Sequence, residues 1–232
     1  FSVVSLGLSR LFRVPDGRRG MWCFCATFCN SGFMGFPVAL ALFGEEGLAL
    51  TVILSIPFNL MMYSIGAKMV CMDLPRDGSA QAISWGKVIF SVINLSLVVG
   101  LFFYFTQIQL PQAVRGPLDY LAGVTTPLSM MITGMNLSQG KAGDIFRDRD
   151  ILTAAGTRLL ILPVLAWGLM RLIPGLSSLV LGAALLNFSM PSPAAAALLG
   201  EQYGGDTQTA VRAVFVSSLL CIVTIPLVSL LL

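Results

Sequence analysis

NSGFMGFPVALALFGE (30–45) and NFSMPSPAAAALLGE (187–201) are the two stretches that decide how this chain folds. Each opens on an Asn and ends in the same pattern of Pro, six apolar residues, Gly and Glu; the pattern begins at Pro37 in one and Pro193 in the other, 156 residues apart. Pro within a helix removes a backbone hydrogen bond and clashes with the preceding turn, so each stretch predicts an interrupted helix. The residues around both are apolar over lengths suited to a bilayer, where freed carbonyls survive only against protein or water. Both interruptions are therefore expected inside the protein, away from lipid.

Outward from these stretches the whole chain has the same character. Of 232 residues 56% are hydrophobic and 11% charged, against about 25% charged in an ordinary soluble domain. Hydropathy between breakers predicts a stub at 1–12 and spans near 20–43, 46–70, 86–106, 113–138, 151–173, 176–200 and 207–232. Each span is long enough, at 1.5 Å per residue, for a hydrocarbon core of roughly 30 Å. The polar segments between them, such as RLFRVPDGRR (10–19), KAGDIFRDRD (141–150) and EQYGGD (201–206), are too short for a soluble domain. Nor is there a catalytic cluster, so a membrane enzyme or sensor is not expected.

A net charge of +3 comes from basic residues scattered over loops with no aromatic platform between them, which argues against nucleic acid. Cys23, Cys25, Cys29, Cys71 and Cys221 have no zinc-like spacing and no His to complete a site. They are expected as small buried hydrophobes, with no metal and no cofactor.

Orientation follows from Lys and Arg. If the loop 10–19 is cytoplasmic, alternation puts Arg10, Arg13, Arg18, Arg19, Lys68, Arg76, Lys87, Lys141, Arg147, Arg149, Arg158 and Arg212 inside, and only Arg115 and Arg171 outside. The C-terminus is then periplasmic. The same topology sends span 20–43 outward and span 176–200 inward, so the repeated stretches belong to inverted repeats. The expected fold is an all-α polytopic membrane protein of the 5+5 inverted-repeat kind. Residues 1–70 form the remainder of the first repeat, 71–85 a cytoplasmic linker and 86–232 the second repeat. Laying Lys87 back by the offset of 156 lands about 70 residues before Phe1, so a ten-helix parent truncated at its N-terminus is expected.

Interrupted helices that meet in the protein interior would present half-helix N-termini, whose free N–H groups and partial positive charge suit an anion. A carboxylate is the natural ligand. The candidate substrate-binding residues are Asn30, Ser31, Gly32, Gly35 and Pro37 on the first stretch and Asn187, Ser189, Pro191, Ser192 and Pro193 on the second. Thr126 and Ser129 join them from span 113–138, where Thr125, Pro127 and Thr133 share the hydroxyl-rich run TTPLSMMIT (125–133). Pro and Gly also serve simply to kink and pack membrane helices, and Ser and Thr to bond their own backbone. Two interruptions at matched places favour function over packing. Pro57, Asn59 and Tyr63 form a weaker set. Arg158 lies about two turns inside its span and is expected to snorkel to the headgroups, with Lys68 similar. No acidic residue sits at the centre of a span, so a carboxylate proton or sodium relay is not evident.

FCNSGFMGFPVALALFGEEG (28–47), FNLMMYSIGAKM (58–69), TTPLSMMITGMNLS (125–138) and MPSPAAAALLGEQYGGD (190–206) resemble the auxin efflux carrier family, which includes plant auxin exporters and bacterial malonate or malate carriers. The resemblance implies ten helices in two inverted repeats, a scaffold and a transport domain. It also implies two broken helices crossing at the site of a carboxylate-bearing cargo. On that pattern Asn30 and Pro37 belong to the first crossing helix and Pro191 and Pro193 to the second, which carries an additional Pro. Short loops place the chain nearer bacterial carriers than plant exporters. The expected activity is secondary transport of a small organic anion such as malonate, malate or an auxin-like acid across the inner membrane by alternating access. A sodium- or proton-coupled carrier of similar broken-helix fold is the alternative. The expected partners are that anion and the lipid bilayer, with a homodimer left open.

Overall fold

A computed structural model describes residues 1–74, 92–138 and 146–230, and every regular element among them is helical. The expected linker 71–85 lies outside the described residues from 75 onward. α1 (Ser2–Leu11) and α2 (Arg19–Thr27) pack together, joined by a turn in which Arg13 adopts a left-handed φ of 56°. α2 is the most enclosed element: every residue from Gly20 to Thr27 is buried, with Trp22 and Phe24 at its centre.

After a π-helical turn at Ser31–Gly35, α3 (Phe36–Met61) runs through a second π turn at Met62–Gly66 into α4 (Ala67–Val70). The stretch Arg19–Val70 holds 52 residues, which as one straight helix would extend roughly 78 Å, more than twice the hydrocarbon core. It bends instead at Gly44, whose φ of 66° and ψ of −163° are open to glycine but strained for any residue with a Cβ. That bend falls between the expected spans 20–43 and 46–70, beside the exposed Glu45 and Glu46. Glycine followed by two carboxylates is what a chain leaving lipid requires.

The remainder comprises α5 (Val92–Thr106), α6 (Gln112–Ser138), α7 (Arg149–Gly156) continuing through a π turn at Thr157–Ile161 into α8 (Leu162–Arg171), α9 (Ser178–Ser189), α10 (Ala195–Tyr203) and α11 (Thr207–Ser229). α11 packs on α2, α7, α9 and α10, and α9 lies along α3. Among the described residues three helical stretches have the length and composition to cross a membrane: Arg19–Val70, Arg149–Arg171 and Thr207–Val228.

Burial is arranged for lipid. Ser5, Ser9, Thr51, Ser55, Thr157, Ser189, Ser192 and Ser217 are buried, whereas Leu42, Ile53, Phe102, Phe105, Leu169, Ile222 and Leu227 are exposed. In water this would be inverted. In a bilayer, small and weakly polar residues let helices approach closely while large apolar ones face acyl chains.

One end of the bundle is held by charge. Arg18 donates to Asp148 at 2.7 Å and Asp150 at 2.8 Å, lies 3.6 Å from Asp206, and donates to the Thr209 hydroxyl at 2.9 Å. Arg212 approaches Asp148 at 3.7 Å, and the Gly20 N–H donates to Asp73 at 2.6 Å. The turn before α2, the segment before α7, the start of α11 and the residues after α4 therefore meet at the same end.

Candidate functional site

α2 stops at Thr27 because Phe28 turns extended, with φ −94° and ψ 154°. Asn30 is also non-helical, and its carbonyl then accepts from the Gly35 N–H at 3.1 Å, opening the π turn. α9 stops at Ser189 and Met190 is extended, with φ −67° and ψ 149°. Pro191 and Pro193 account for this second interruption, since proline lacks an N–H and drives the residue before it out of the helical region.

The two interruptions are bonded to one another. The Asn30 N–H donates to the Pro191 carbonyl at 2.8 Å, and the Ser192 hydroxyl donates to the Cys25 carbonyl at 2.8 Å. The Cys29 thiol donates to the Asn187 amide oxygen at 3.7 Å. Gly35 lies against Met190, close enough that an added Cβ would stand 3.3 Å from its Cγ. Behind them sits Arg158, 0% exposed, on the π turn between α7 and α8. Its guanidinium donates to the carbonyls of Thr27 at 2.8 Å, Phe188 at 2.7 Å and Met190 at 2.9 Å. Snorkelling, the expectation from its depth in the span, is not what it does: carbonyls freed at both interruptions take all three of its hydrogen bonds and hold it in the interior.

In front of this junction lies a cavity of about 480 Å³. It is lined by Asn30, Ser31, Gly32 and Pro193 from the interruptions, with further polar side chains from Asn59 and Tyr63 on α3 and the π turn that follows and from Ser96 and Tyr104 on α5. Phe33, Val52, Ile56, Met62 and Leu101 supply apolar wall. Asn30 is 7% exposed, and among the described residues its carboxamide has no hydrogen-bond partner. The N–H groups of Ser31, Gly32 and Phe33, and of Ala194 and Ala195, open helical turns and so have no intrahelical acceptor. The cavity thus offers amide and N–H donors at one wall and apolar contact elsewhere.

Of the sequence candidates, Asn30, Ser31, Gly32 and Pro193 line the cavity. Asn187, Ser189 and Ser192 are buried behind it; the Ser189 hydroxyl donates to the Leu185 carbonyl at 2.7 Å, and the Ser192 N–H donates to the Ser217 hydroxyl at 3.0 Å. Pro191 contributes its carbonyl to Asn30, Gly35 its close approach to Met190, and Pro37 stands exposed at the start of α3. Thr126 and Ser129 fall on α6, and their side chains lie outside the described residues. Asn59 and Tyr63, the weaker set, line the cavity. Two of the three π turns line the cavity, through Ser31 to Phe33 and through Met62 and Tyr63, and the third carries Arg158 behind it. Such bulges are frequent at functional sites. A single sequence carries no mark of them beyond the glycines at their edges.

Among the described residues no three Cys, Asp or Glu come together as a metal set, and Cys23, Cys25, Cys29 and Cys221 are free and buried.

An apolar exterior around a donor-lined cavity is the construction of a membrane carrier. The chain matches the membrane transport protein family over residues 1–82 and 76–229 and belongs to it, the family of the auxin efflux carriers. It is 28% identical over 222 residues to an uncharacterized transporter of Methanocaldococcus jannaschii, covering 94% of this chain and 70% of that protein. It is 30% identical over 203 residues to an uncharacterized transporter of Methanothermobacter thermautotrophicus, covering 87% and 64% respectively. A Rhizobium meliloti protein named "Putative malonate transporter" is 22% identical over 205 residues, covering 87% of this chain and 63% of that relative. The chain thus spans less than two thirds of the length of the last two.

Proposed function

We propose that this chain is the greater part of a secondary carrier that moves small carboxylate-bearing organic anions across the inner membrane by alternating access. The single observation that carries the reading is the cavity where two interrupted helices join. It brings together the Asn30 carboxamide, which makes no hydrogen bond among the described residues, and N–H groups that lack an intrahelical acceptor at the starts of two helical segments. Donors of this kind neutralise a carboxylate without the cost of a permanent charge at the cavity surface. The name of the Rhizobium relative agrees with a dicarboxylate such as malonate.

In this reading residues 1–70 belong to one repeat, 71–85 link, and 86–232 form the second, inverted on the first. The two interruptions are its crossing helices. Each interruption falls in the span before the last of its half, 20–43 before 46–70 and 176–200 before 207–232. The meeting of Arg18, Asp148, Asp150 and Arg212 at one end agrees with a cytoplasmic face there and a periplasmic C-terminus. Asn30, Ser31, Gly32 and Pro193 are proposed to touch the substrate. Gly35, Pro37, Asn187, Ser189, Pro191 and Ser192 hold the backbone that presents it, and Thr126 and Ser129 form a further wall.

Uptake of labelled malonate and benzoate into proteoliposomes of the whole protein tests this. Asn30→Ala is expected to lower uptake about tenfold at an unchanged melting temperature, since only the backbone of Asn30 is bonded among the described residues. Uptake of neither acid by the unsubstituted protein, or full uptake by Asn30→Ala, would count against it.

A further inference from the structure

We propose that Arg158 is the residue that makes this cavity prefer anions, by neutralising the carbonyl ends of the two interrupted helices and leaving their N–H ends unopposed. The inference rests on the carrier reading above and names what sets its charge selectivity. Two helical segments end at the junction, α2 at Thr27 and α9 at Ser189, and two begin there, at Ser31 and at Ala195. Each helix end carries roughly half an elementary charge, negative at carbonyl ends and positive at N–H ends. Left alone, two of each cancel. A cavity at such a junction has no reason to favour an anion over a cation, because carbonyls are as close as N–H groups.

Arg158 breaks that balance. Its three hydrogen bonds all go to carbonyls of the ending segments, Thr27, Phe188 and Met190. None goes to a carboxylate, and among the described residues it makes no ion pair. A guanidinium keeps its proton even when buried, and its planar fork of five donors can serve several carbonyls at once. One positive charge therefore offsets the two half-charges of the carbonyl ends. What remains is the positive end of the turn at Ser31 and the positive end of α10, both on the cavity wall. Cys29, also on that wall, lies two residues beyond Thr27, whose carbonyl Arg158 holds. Full burial matters as much as charge: in a low-dielectric surround the residual field is weakly screened.

Thiol chemistry reads this field without any substrate. Gly32 lines the cavity, is exposed, and has nothing within 4 Å of where a Cβ would stand. Gly32→Cys is introduced into the whole protein with its accessible cysteines, the half-buried Cys71 among them, replaced by Ser. Its reaction rates with anionic sulfonatoethyl and cationic trimethylammonioethyl methanethiosulfonate are compared with those of a free thiol. The anionic-to-cationic ratio is expected to exceed the free-thiol ratio on the order of tenfold. Arg158→Gln should return it to within about twofold of the free thiol, whereas Arg158→Lys, which keeps the charge but cannot reach three carbonyls, should retain most of the excess at lower thermal stability.

No excess in the protein that carries Arg158 overturns the proposal, as does an undiminished excess in a folded Arg158→Gln protein. If the Gln variant does not fold, the Lys variant decides: a folded Lys protein with the free-thiol ratio refutes the charge argument, and one that keeps the excess supports it. Should neither variant fold, the ratio in the Arg158 protein alone decides. Failure of malonate and benzoate uptake removes the carrier reading and leaves the thiol ratio standing, so the two fail separately.

Discussion

Arg158 in the interior and Arg18 at the end of the bundle each join segments about 130 residues apart, Arg158 to Thr27 and Arg18 to Asp148. Both make three or more polar contacts, yet their partners differ in kind. Arg18 faces three carboxylates, those of Asp148, Asp150 and Asp206, with Arg212 close by. Its side chain is 28% exposed, so water and salt share in its solvation. Burial alone would lower the pKa of Arg18, but the hydrogen bond and charge of Asp148, with Asp150 and Asp206, outweigh it and hold the pKa above its ordinary value. Arg158 faces carbonyls alone and is shut from solvent. The comparison separates two uses of one side chain. At the bundle end opposite charges neutralise one another and tie loops together; in the interior a charge is spent on the carbonyl ends of two helices.

The largest effect that tests this division is truncation of each arginine. Arg158→Ala leaves three buried carbonyls without their donor, and each buried acceptor left unsatisfied costs about 1–3 kcal/mol. Arg18→Ala removes a half-hydrated contact worth about 1 kcal/mol. Thermal melts of the detergent-solubilised whole protein should show a drop for Arg158→Ala several times larger than for Arg18→Ala. Equal drops would erase the distinction.

A smaller effect asks whether the interior junction is held by packing as well as by Arg158. Gly35 faces Met190 across the join, and a Cβ there would already stand 3.3 Å from the Met190 Cγ. Gly35→Val should cost about 1–3 kcal/mol through overpacking, while Gly35→Ala should cost less because the flexible Met190 side chain can shift. If Val is tolerated as well as Ala, the interruptions are not pressed together, and Arg158 and the hydrogen bonds between the two stretches hold them without packing.

How much of this was open to inspection in the sequence depends on the link concerned. Pro191 and Pro193 announce their interruption by what proline cannot do, and Gly44 with Glu45 and Glu46 announces a bend. The second break was therefore legible at its prolines, whereas the first falls at Phe28–Asn30, ahead of Pro37, which the first turn of α3 accommodates because its missing N–H would be unsatisfied there anyway; four of the candidate residues, Asn30, Ser31, Gly32 and Pro193, line the cavity. Arg158 was not legible in its true part. A side chain at its depth has the same composition around it whether it snorkels or caps carbonyls, and only the tertiary meeting of Thr27 with Phe188 and Met190 decides between the two. The same holds for Ser192. Its hydroxyl between two prolines reads as a ligand group, yet the structure binds it to the Cys25 carbonyl from the other half of the molecule. Local chemistry predicts where backbone is freed; which side chain satisfies it is a property of the assembled fold.

The smallest expected effect belongs to Asp148, and it carries a pH signature that the interior lacks. Burial alone would raise its carboxyl, but the hydrogen bond and charge of Arg18 outweigh that and hold it below the ordinary value of 3.8. A folded-state pKa below the unfolded one means the unfolded chain binds the proton first on acidification. The stabilisation is thus complete above about pH 4–5 and is lost as pH falls through the folded value. Asp148 also caps α7, its side chain accepting from the Asp150 N–H at 3.1 Å, and Asn preserves that cap. Asp148→Asn therefore removes charge with little else, at a cost of about 1 kcal/mol at neutral pH for a contact of this exposure. Melts from pH 7 down to pH 3 should show the variant less stable at neutrality and the two proteins converging in acid. A gap that stays constant with pH would show that Asp148 holds the bundle end by shape alone, and the contrast with Arg158 would then have to rest on burial and not on neutralisation.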